Sequence, residues 1–264
     1  MPGNIIVEER GHVLHLKLDN PERLNALDRD MFVALEQEFT HAGQDPNIRV
    51  ILISATEGRG FCSGADVSGL KTGAEGDAEE QRKQGVPPFT ARQAKIFKPT
   101  ICAVNGICAG AGLHFVADSD IVIASESASF TDTHVNVGQV SALEPIGLMQ
   151  RASLSTVLRM VILGKAERLD AQKALEQNLV SEVMPADKLM NRAWELAEIV
   201  CGVSPASVQR SLKAIYASLE MPLEEAYENG LDVLFKHREH PDALEGPRAF
   251  LEKRIANWTM DDPA

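Results

Sequence analysis

Residues 61–66 read FCSGAD, and residues 105–114 read NGICAGAGLH. Each stretch follows a short apolar run with the composition of a buried strand, VILIS at residues 50–54 and TICAV at residues 100–104. Each then passes through small residues toward a predicted helix. The two stretches therefore predict a pair of similar strand-to-helix turns in an α/β protein.

Turns of this kind leave backbone N–H groups exposed at the end of a buried strand. One such donor is expected near Ala65 and another near Ala111. The turns that contain these two residues are called the first and the second donor turn. Small residues are needed there, because a bulky side chain would block the approach of a carbonyl oxygen. A pair of N–H groups can bind the oxyanion of a thioester enolate or of a tetrahedral intermediate.

These segments, together with NPERLNAL at residues 20–27, closely resemble the enoyl-CoA hydratase/isomerase family, also called the crotonase family. The resemblance extends from about Ile5 to about Trp258. It implies an acyl-CoA ligand and an α/β fold, the crotonase (ClpP-like) spiral of ββα units. It also implies a C-terminal helical region that forms a homotrimer or a dimer of trimers. The family runs many reactions on one scaffold, so the reaction depends on the site residues.

The pattern along the chain predicts a spiral core over residues 1–200 and a helical region over residues 201–264. The C-terminal part shows helical periodicity with prolines near the predicted helix starts. The helices predicted from this pattern span residues 186–201, 205–219, 223–237 and 242–255.

Two elements are predicted near the beginning of the chain. Residues 5–9 and 13–18 have the pattern of a hairpin, whose second strand alternates so that one face is expected to be buried. Asp28 is expected to cap a helix with an apolar stripe formed by Met31, Leu35, Phe39 and Ala42. Residues 71–88 show no apolar period, which is typical of either a solvated surface loop or a mobile cover over the acyl site.

Composition excludes several classes of function. The formal net charge of −12 argues against nucleic-acid binding, which needs a basic face. No apolar run approaches the ~20 residues of a membrane span, and no signal peptide precedes Ile5, so a cytoplasmic protein is expected. The four cysteines show no CxxC spacing and are interpreted as reduced, buried thiols. The histidine spacings match no metal motif, so no metal site is predicted.

The resemblance also identifies the catalytic positions, where this chain departs from the family. The hydratases of the family carry two glutamates, and the matching positions here are His114 and His134. Histidine suits proton transfer near neutral pH, since its unperturbed pKa is roughly 6.5. His114 is expected in the first turn of a helix, where the helix dipole favours a neutral imidazole. The alternative is that His114 only fills space behind the donor turn.

Glu144 is a candidate partner for His134, because a carboxylate on one ring nitrogen raises the basicity of the other. Some carbon–carbon bond hydrolases of the family, which act on β-diketones, use a histidine and an acid in this way. The alternative is that Glu144 offsets a helix dipole. The sequence therefore predicts an acyl-CoA enzyme that stabilises a thioester enolate. A carbon–carbon bond or thioester hydrolase using His134 and Glu144, and a non-catalytic acyl-CoA binder, stay open.

Coenzyme A contacts are carried over from the family by position. The resemblance implies backbone contacts to the adenine near Ala26, Ser63 and Ala65. It also implies two basic groups for the phosphates, Arg23 and Lys253. Arg23 is one residue past the usual position, and Lys253 is otherwise a solvated helix charge. Coenzyme A would be part of the substrate, and no tightly bound cofactor is implied.

Overall fold

The computed structural model describes residues 2–66 and 87–259. Within these residues the strands form two sheets. The strands are β1 (Asn4–Arg10), β2 (Val13–Asp19), β3 (Val50–Ala55), β4 (Gly60–Cys62), β5 (Thr100–Val104), β6 (Ile107–Ala109), β7 (Ile121–Ser125), β8 (Ser129–Thr131), β9 (Leu169–Asp170) and β10 (Glu182–Met184).

Helices connect and cover these strands. They are α1 (Arg29–Gln44), α2 (Gly112–Asp118), α3 (Leu143–Leu148), α4 (Leu154–Leu163), α5 (Ala171–Glu176), α6 (Ala186–Cys201), α7 (Pro205–Ala217), α8 (Leu223–His237) and α9 (Asp242–Glu252). The prediction made for residues 71–88 lies outside the described residues, apart from 87 and 88. No helix in the described ranges is both long enough and apolar enough to cross a membrane.

From β3 to β8, successive strands alternate between the two sheets. The larger sheet has the order β1-β2-β3-β5-β7-β10, and the smaller has the order β4-β6-β8-β9. The pairs β3 and β4, β5 and β6, and β7 and β8 therefore each place one strand in each sheet. This arrangement is the spiral of ββα units that the sequence predicted.

The central strands of the larger sheet, β2, β3, β5 and β7, are buried on both faces. One face packs against α1 and α2, and the other packs against Leu189, Ala193 and Ala197 of α6. The prediction that only one face of β2 is buried was wrong, because α6 covers the face that carries Val13 and His15. Parallel strands covered on both faces are typical of α/β proteins.

The predicted elements at the two ends of the chain are confirmed. β1 and β2 form an antiparallel hairpin. Asp28 accepts a hydrogen bond from the Met31 N–H, and the predicted stripe of α1 is fully buried. The last helix ends at Glu252, three residues before its predicted end at 255. It ends there because Lys253 adopts the left-handed conformation with φ of 52°.

The cysteines are all free thiols. Cys62, Cys102 and Cys108 are buried, as predicted, whereas Cys201 is only half-buried. Burial raises the pKa of Cys62 to about 12 and raises that of Cys108 well above its usual value. A thiol is nucleophilic only as thiolate, so these groups are inert in the folded protein.

A buried asparagine connects the segment before α1 to the smaller sheet. Asn25 accepts a hydrogen bond from the Asn20 N–H (2.7 Å) and donates one to the Gly60 carbonyl in β4 (2.8 Å). Its side chain is almost completely buried, and its backbone is left-handed with φ of 56°. The residues that lead to the first donor turn are therefore fixed by side-chain hydrogen bonds.

Asn25→Ala should lower the free energy of unfolding by roughly 2–5 kcal/mol, because it leaves two buried backbone groups without partners. Alanine also tolerates the left-handed conformation less well than asparagine. Urea unfolding followed by circular dichroism measures the change. Asn47→Ala is the matched control, since Asn47 bonds only on the surface, and it should change stability by less than about 0.5 kcal/mol. Equal losses in the two variants would contradict this role for Asn25.

Candidate active site

The candidate residues converge because three strands of the smaller sheet are parallel. β4 pairs with β6 and β6 pairs with β8, both in parallel, so their carboxyl ends lie along one edge of the sheet. Ala65 follows β4, Ala111 follows β6 and His134 follows β8. Ligand sites of α/β sheets are commonly found at this edge.

The two donor turns touch each other through glycine. Gly64 and Gly110 have φ of 114° and 51°, which favour glycine. A Cβ atom on Gly110 would lie 3.5 Å from the Gly64 Cα, and one on Gly64 would lie 3.6 Å from the Ala111 nitrogen. The backbones on both sides of the site are therefore in close contact.

Hydrogen bonding leaves two N–H groups of these turns unused. The Leu27 N–H donates to the Gly64 carbonyl, and the Asp66 N–H donates to the Leu27 carbonyl, both at 2.8 Å. This parallel bridge uses the N–H groups of Leu27 and Asp66, and it does not use the N–H of Ala65. Within residues 2–66 and 87–259, neither the Ala65 N–H nor the Ala111 N–H has a protein acceptor.

His134 is oriented by Asp132. One carboxylate oxygen, Oδ1, lies 2.9 Å from the His134 backbone nitrogen and 3.1 Å from its ring Nδ1. The other oxygen accepts a hydrogen bond from the Ser141 hydroxyl (2.6 Å). The carboxylate that bonds His134 is therefore Asp132, whereas the sequence pointed to Glu144.

These contacts shift both pKa values. The hydrogen bond to Asp132 raises the pKa of His134, with smaller contributions from the charges of Glu144 and Asp132, against the effect of burial. Burial would raise the pKa of Asp132, but the hydrogen bonds from His134 and Ser141 outweigh it and lower that pKa. Asp132 is thus held as the charged partner of the imidazole.

His114 lies in the first turn of α2, as predicted, and its side chain is buried. Its Nδ1 is 3.2 Å from the Gln93 Nε2 and 3.8 Å from the Asp118 Oδ2. Its ring packs edge-on against Phe89, with 5.2 Å between ring centroids. The imidazole is therefore held by both polar and aromatic contacts.

Glu144 lies between the two imidazoles. Its Oε1 is 3.6 Å from the His114 Nε2 and 3.7 Å from the His134 Nε2. The residue lies in the first turn of α3 and is buried. The structure therefore brings together His114, His134 and Glu144, the three side chains that the sequence predicted to be catalytic.

These groups face a cleft of about 840 Å³. Its walls combine apolar side chains with a few polar groups, as in other small-molecule sites. The lining residues are Phe32, Ala65, Pro88, Phe89, Arg92, Gln93, Ala111, His114, Asp118, His134, Leu143, Glu144, Ile146, Gly147 and Gln150.

The residues expected to contact coenzyme A fall into two groups. Arg23, Ala26 and Ser63 lie next to the first donor turn: the Ser63 hydroxyl donates to the Arg23 carbonyl (3.0 Å), and Arg23 forms an ion pair with Asp66. Lys253 follows α9, and in the described part of the chain no hydrogen bond or ion pair connects it to this group.

Besides Asp132, sequence reasoning missed the two side chains that lie against the His114 Nδ1. Asp118 follows His114 by four residues on the same helix, and that spacing places both on one face. Gln93 lies in an irregular segment before β5, where the sequence offers no signal for its position. Its contact with His114 depends on how residues 89–96 fold back over α2.

Comparisons with known proteins give a consistent result. Residues 8–261 match the family model described as enoyl-CoA hydratase/isomerase. Carnitinyl-CoA dehydratase of Proteus mirabilis is 34% identical over 267 residues, which cover 98% of this chain and 99% of the relative. (E)-benzylidenesuccinyl-CoA hydratase of Thauera aromatica is 31% identical, over 95% of this chain and 96% of the relative.

Solved structures agree in fold. An enoyl-CoA hydratase/isomerase from Mycobacterium paratuberculosis has 40% identity and a TM-score of 0.86, with 97% of this chain and 98% of that chain covered. Human enoyl coenzyme A hydratase domain-containing protein 3 has 28% identity and a TM-score of 0.85, over 96% and 99% of the two chains. On sequence and fold together, the chain belongs to the enoyl-CoA hydratase/isomerase family.

Proposed function

We propose that this protein catalyses the reversible addition of water to the double bond of an α,β-unsaturated acyl-CoA thioester. The observation that carries the proposal is the His134 imidazole, bonded to Asp132 through Nδ1, beside two unused N–H groups on the same sheet edge. The named relatives support the reaction class, since they include a CoA-ester hydratase and a CoA-ester dehydratase.

The N–H groups of Ala65 and Ala111 are the oxyanion hole of this proposal. Addition of water to the β-carbon pushes electrons into the thioester carbonyl, and the resulting enolate oxygen carries negative charge. Two fixed donors stabilise that charge more strongly than they stabilise the neutral carbonyl. The small side chains at both positions leave the carbonyl oxygen room to approach.

His134 is the general base. With Nδ1 bonded to the Asp132 carboxylate, the neutral imidazole keeps its proton on Nδ1 and presents a lone pair at Nε2. The Glu144 Oε1 lies 3.7 Å from that Nε2. A single water can donate one hydrogen to each of these acceptors, which orients its oxygen for attack.

A single base, His134, is sufficient for both proton transfers of the hydration. His134 Nε2 takes a proton as the water oxygen bonds to the β-carbon and the carbonyl becomes an enolate. The imidazolium then returns that proton to the α-carbon, which collapses the enolate to the thioester. The two imidazoles are proposed to replace the glutamates that the hydratases of the family carry, and Asp132 stabilises the cation formed in the first step.

Coenzyme A is proposed to bind beside the first donor turn. Arg23, Ala26, Ser63 and Ala65 are neighbours there, and they supply one cation and several backbone groups. Lys253 is proposed as a second cation for the phosphates. Local cations of this kind are needed, because a chain with a net charge of −12 otherwise repels a polyanionic ligand.

Hydrolysis is the second candidate function. The Asp132 and His134 pair leaves Nε2 facing the cleft, and the same base can direct water to a carbonyl carbon instead of the β-carbon. The oxyanion hole would then hold a tetrahedral intermediate. The product separates the two reactions.

Mass spectrometry of the products tests the reaction class. With a panel of straight, branched, aromatic and carboxylated unsaturated acyl-CoA thioesters in ¹⁸O water, hydration should add one labelled water and leave the thioester intact. β-Diketones and saturated acyl-CoA thioesters are included as hydrolase substrates. Cleavage into two fragments would favour the hydrolase, and no change in any compound would contradict both reactions.

Removal of one oxyanion donor should slow the reaction strongly. Ala111 has φ of −53°, which proline can adopt, so Ala111→Pro removes the N–H without changing φ at this residue. Turnover should fall on the order of 10²–10³-fold in Ala111→Pro, whereas Ala111→Gly keeps the N–H and should stay near the wild type. Circular dichroism first establishes that both variants fold. Equal turnover by the folded variants would rule out this donor.

Asp132→Asn should lower kcat/KM about 10- to 100-fold, because the partner that orients and activates the imidazole is lost. The base works only when neutral, so kcat/KM falls as the pH drops through the pKa of His134. Asp132 raises that pKa, so the acidic limb should move to lower pH in Asp132→Asn. Asp187→Asn on the exposed surface of α6 is the control. If kcat/KM of Asp132→Asn falls at the same pH as that of the wild type, His134 is not the base.

A further inference from the structure

Gln93 contacts the His114 imidazole on the side of the ring away from Glu144. The Gln93 Nε2 lies 3.2 Å from the His114 Nδ1, whereas Glu144 faces the His114 Nε2. The Gln93 backbone N–H donates to the Thr90 hydroxyl (3.2 Å), and that hydroxyl donates to Asp118 (2.8 Å). The amide is therefore held within a network of described hydrogen bonds.

Two contacts fix which end of the Gln93 amide faces the imidazole. Its Oε1 accepts a hydrogen bond from the Phe89 N–H (3.2 Å), and its Nε2 donates one to the Asp118 Oδ2 (3.2 Å). The reversed orientation would set the amide oxygen against a carboxylate and the amide nitrogen against an N–H donor. The NH₂ end of Gln93 therefore points to His114.

The orientation of Gln93 determines the tautomer of His114. An amide NH₂ group only donates hydrogen bonds, so the His114 Nδ1 must accept. The neutral ring then carries its proton on Nε2, which faces the Glu144 Oε1 at 3.6 Å. A proton on Nδ1 would place two donors against each other.

The two imidazoles are thus held in opposite tautomers. His134 carries its proton on Nδ1, toward Asp132, and presents a lone pair at Nε2. His114 accepts at Nδ1, from Gln93, and presents an N–H at Nε2. Glu144 lies between a ring that donates and a ring that accepts.

We propose that Gln93 is a positioning residue that holds His114 as a hydrogen-bond donor and so leaves the base role to His134. The N–H of His114 fixes the Glu144 carboxylate, which in turn helps to hold the water that His134 deprotonates. The roles in turnover rest on the proposed hydration, but the tautomers do not depend on it.

The tautomers are measured without substrate. Protein labelled with ¹⁵N in the histidine rings is studied by long-range ¹H–¹⁵N NMR at a pH where the imidazoles are neutral, and His114→Asn and His134→Asn assign the signals. We expect a proton-free Nδ1 and a protonated Nε2 in His114, and the reverse in His134. A proton on Nδ1 of His114 would overturn the proposal even if hydration were confirmed.

Variants of Gln93 connect the tautomer to turnover. In Gln93→Glu a carboxylate faces Nδ1 and can only accept a hydrogen bond, so the proton of the neutral ring should move to Nδ1, and kcat should fall about 10- to 100-fold. In Gln93→Met the contact is lost, and both tautomers should be populated. Gln172→Glu makes the same charge change on the exposed face of α5 and should leave both readouts unchanged.

Two outcomes for Gln93→Glu would overturn the proposal. An unchanged tautomer would show that Gln93 does not control the ring, and a reversed tautomer with unchanged kcat would show that His114 does not act as a donor. If none of the compounds tested is hydrated by the wild type, the proposed function fails, and the NMR result on Gln93 stands separately.

Discussion

Parallel pairing of three short strands is the constraint on which the site depends. β4, β6 and β8 have only three residues each, and each one is the next strand in the chain after a strand of the larger sheet. Their carboxyl ends meet at one edge, which is why groups far apart in sequence face a common cleft. A change in the register of one short strand would move one donor turn away from the other.

Charge within the site is organised around two imidazoles and three carboxylates. Asp132 bonds His134, Glu144 lies between the rings, and Asp118 supports the Gln93 amide that contacts His114. In the proposed mechanism, the imidazolium of His134 would form beside carboxylates that already carry negative charge, while the enolate oxygen would meet the N–H groups of Ala65 and Ala111.

Features determined by local sequence were predictable from it. Small residues indicated the donor turns, Asp28 indicated a helix start, and prolines separated the C-terminal helices to within a few residues. Features determined by distant packing were not. β2 is buried on its second face by α6, which lies far along the chain, and Gln93 reaches His114 only because an irregular segment folds over α2. The partner of His134 is Asp132 and not the predicted Glu144. A carboxylate two residues before the histidine can bond both its ring and its backbone N–H.

The buried thiols of Cys62 and Cys108 lie directly beside the two donor turns, one at the end of β4 and one within β6. Reagents reach them only when these turns separate from the sheet. Their alkylation rate therefore reports the opening of the turns, while the half-buried Cys201 provides an internal reference within the same molecule. A ligand held by the turns would slow the first reaction and leave the second unchanged, so the ratio of the two alkylation rates would report whether the cleft is occupied.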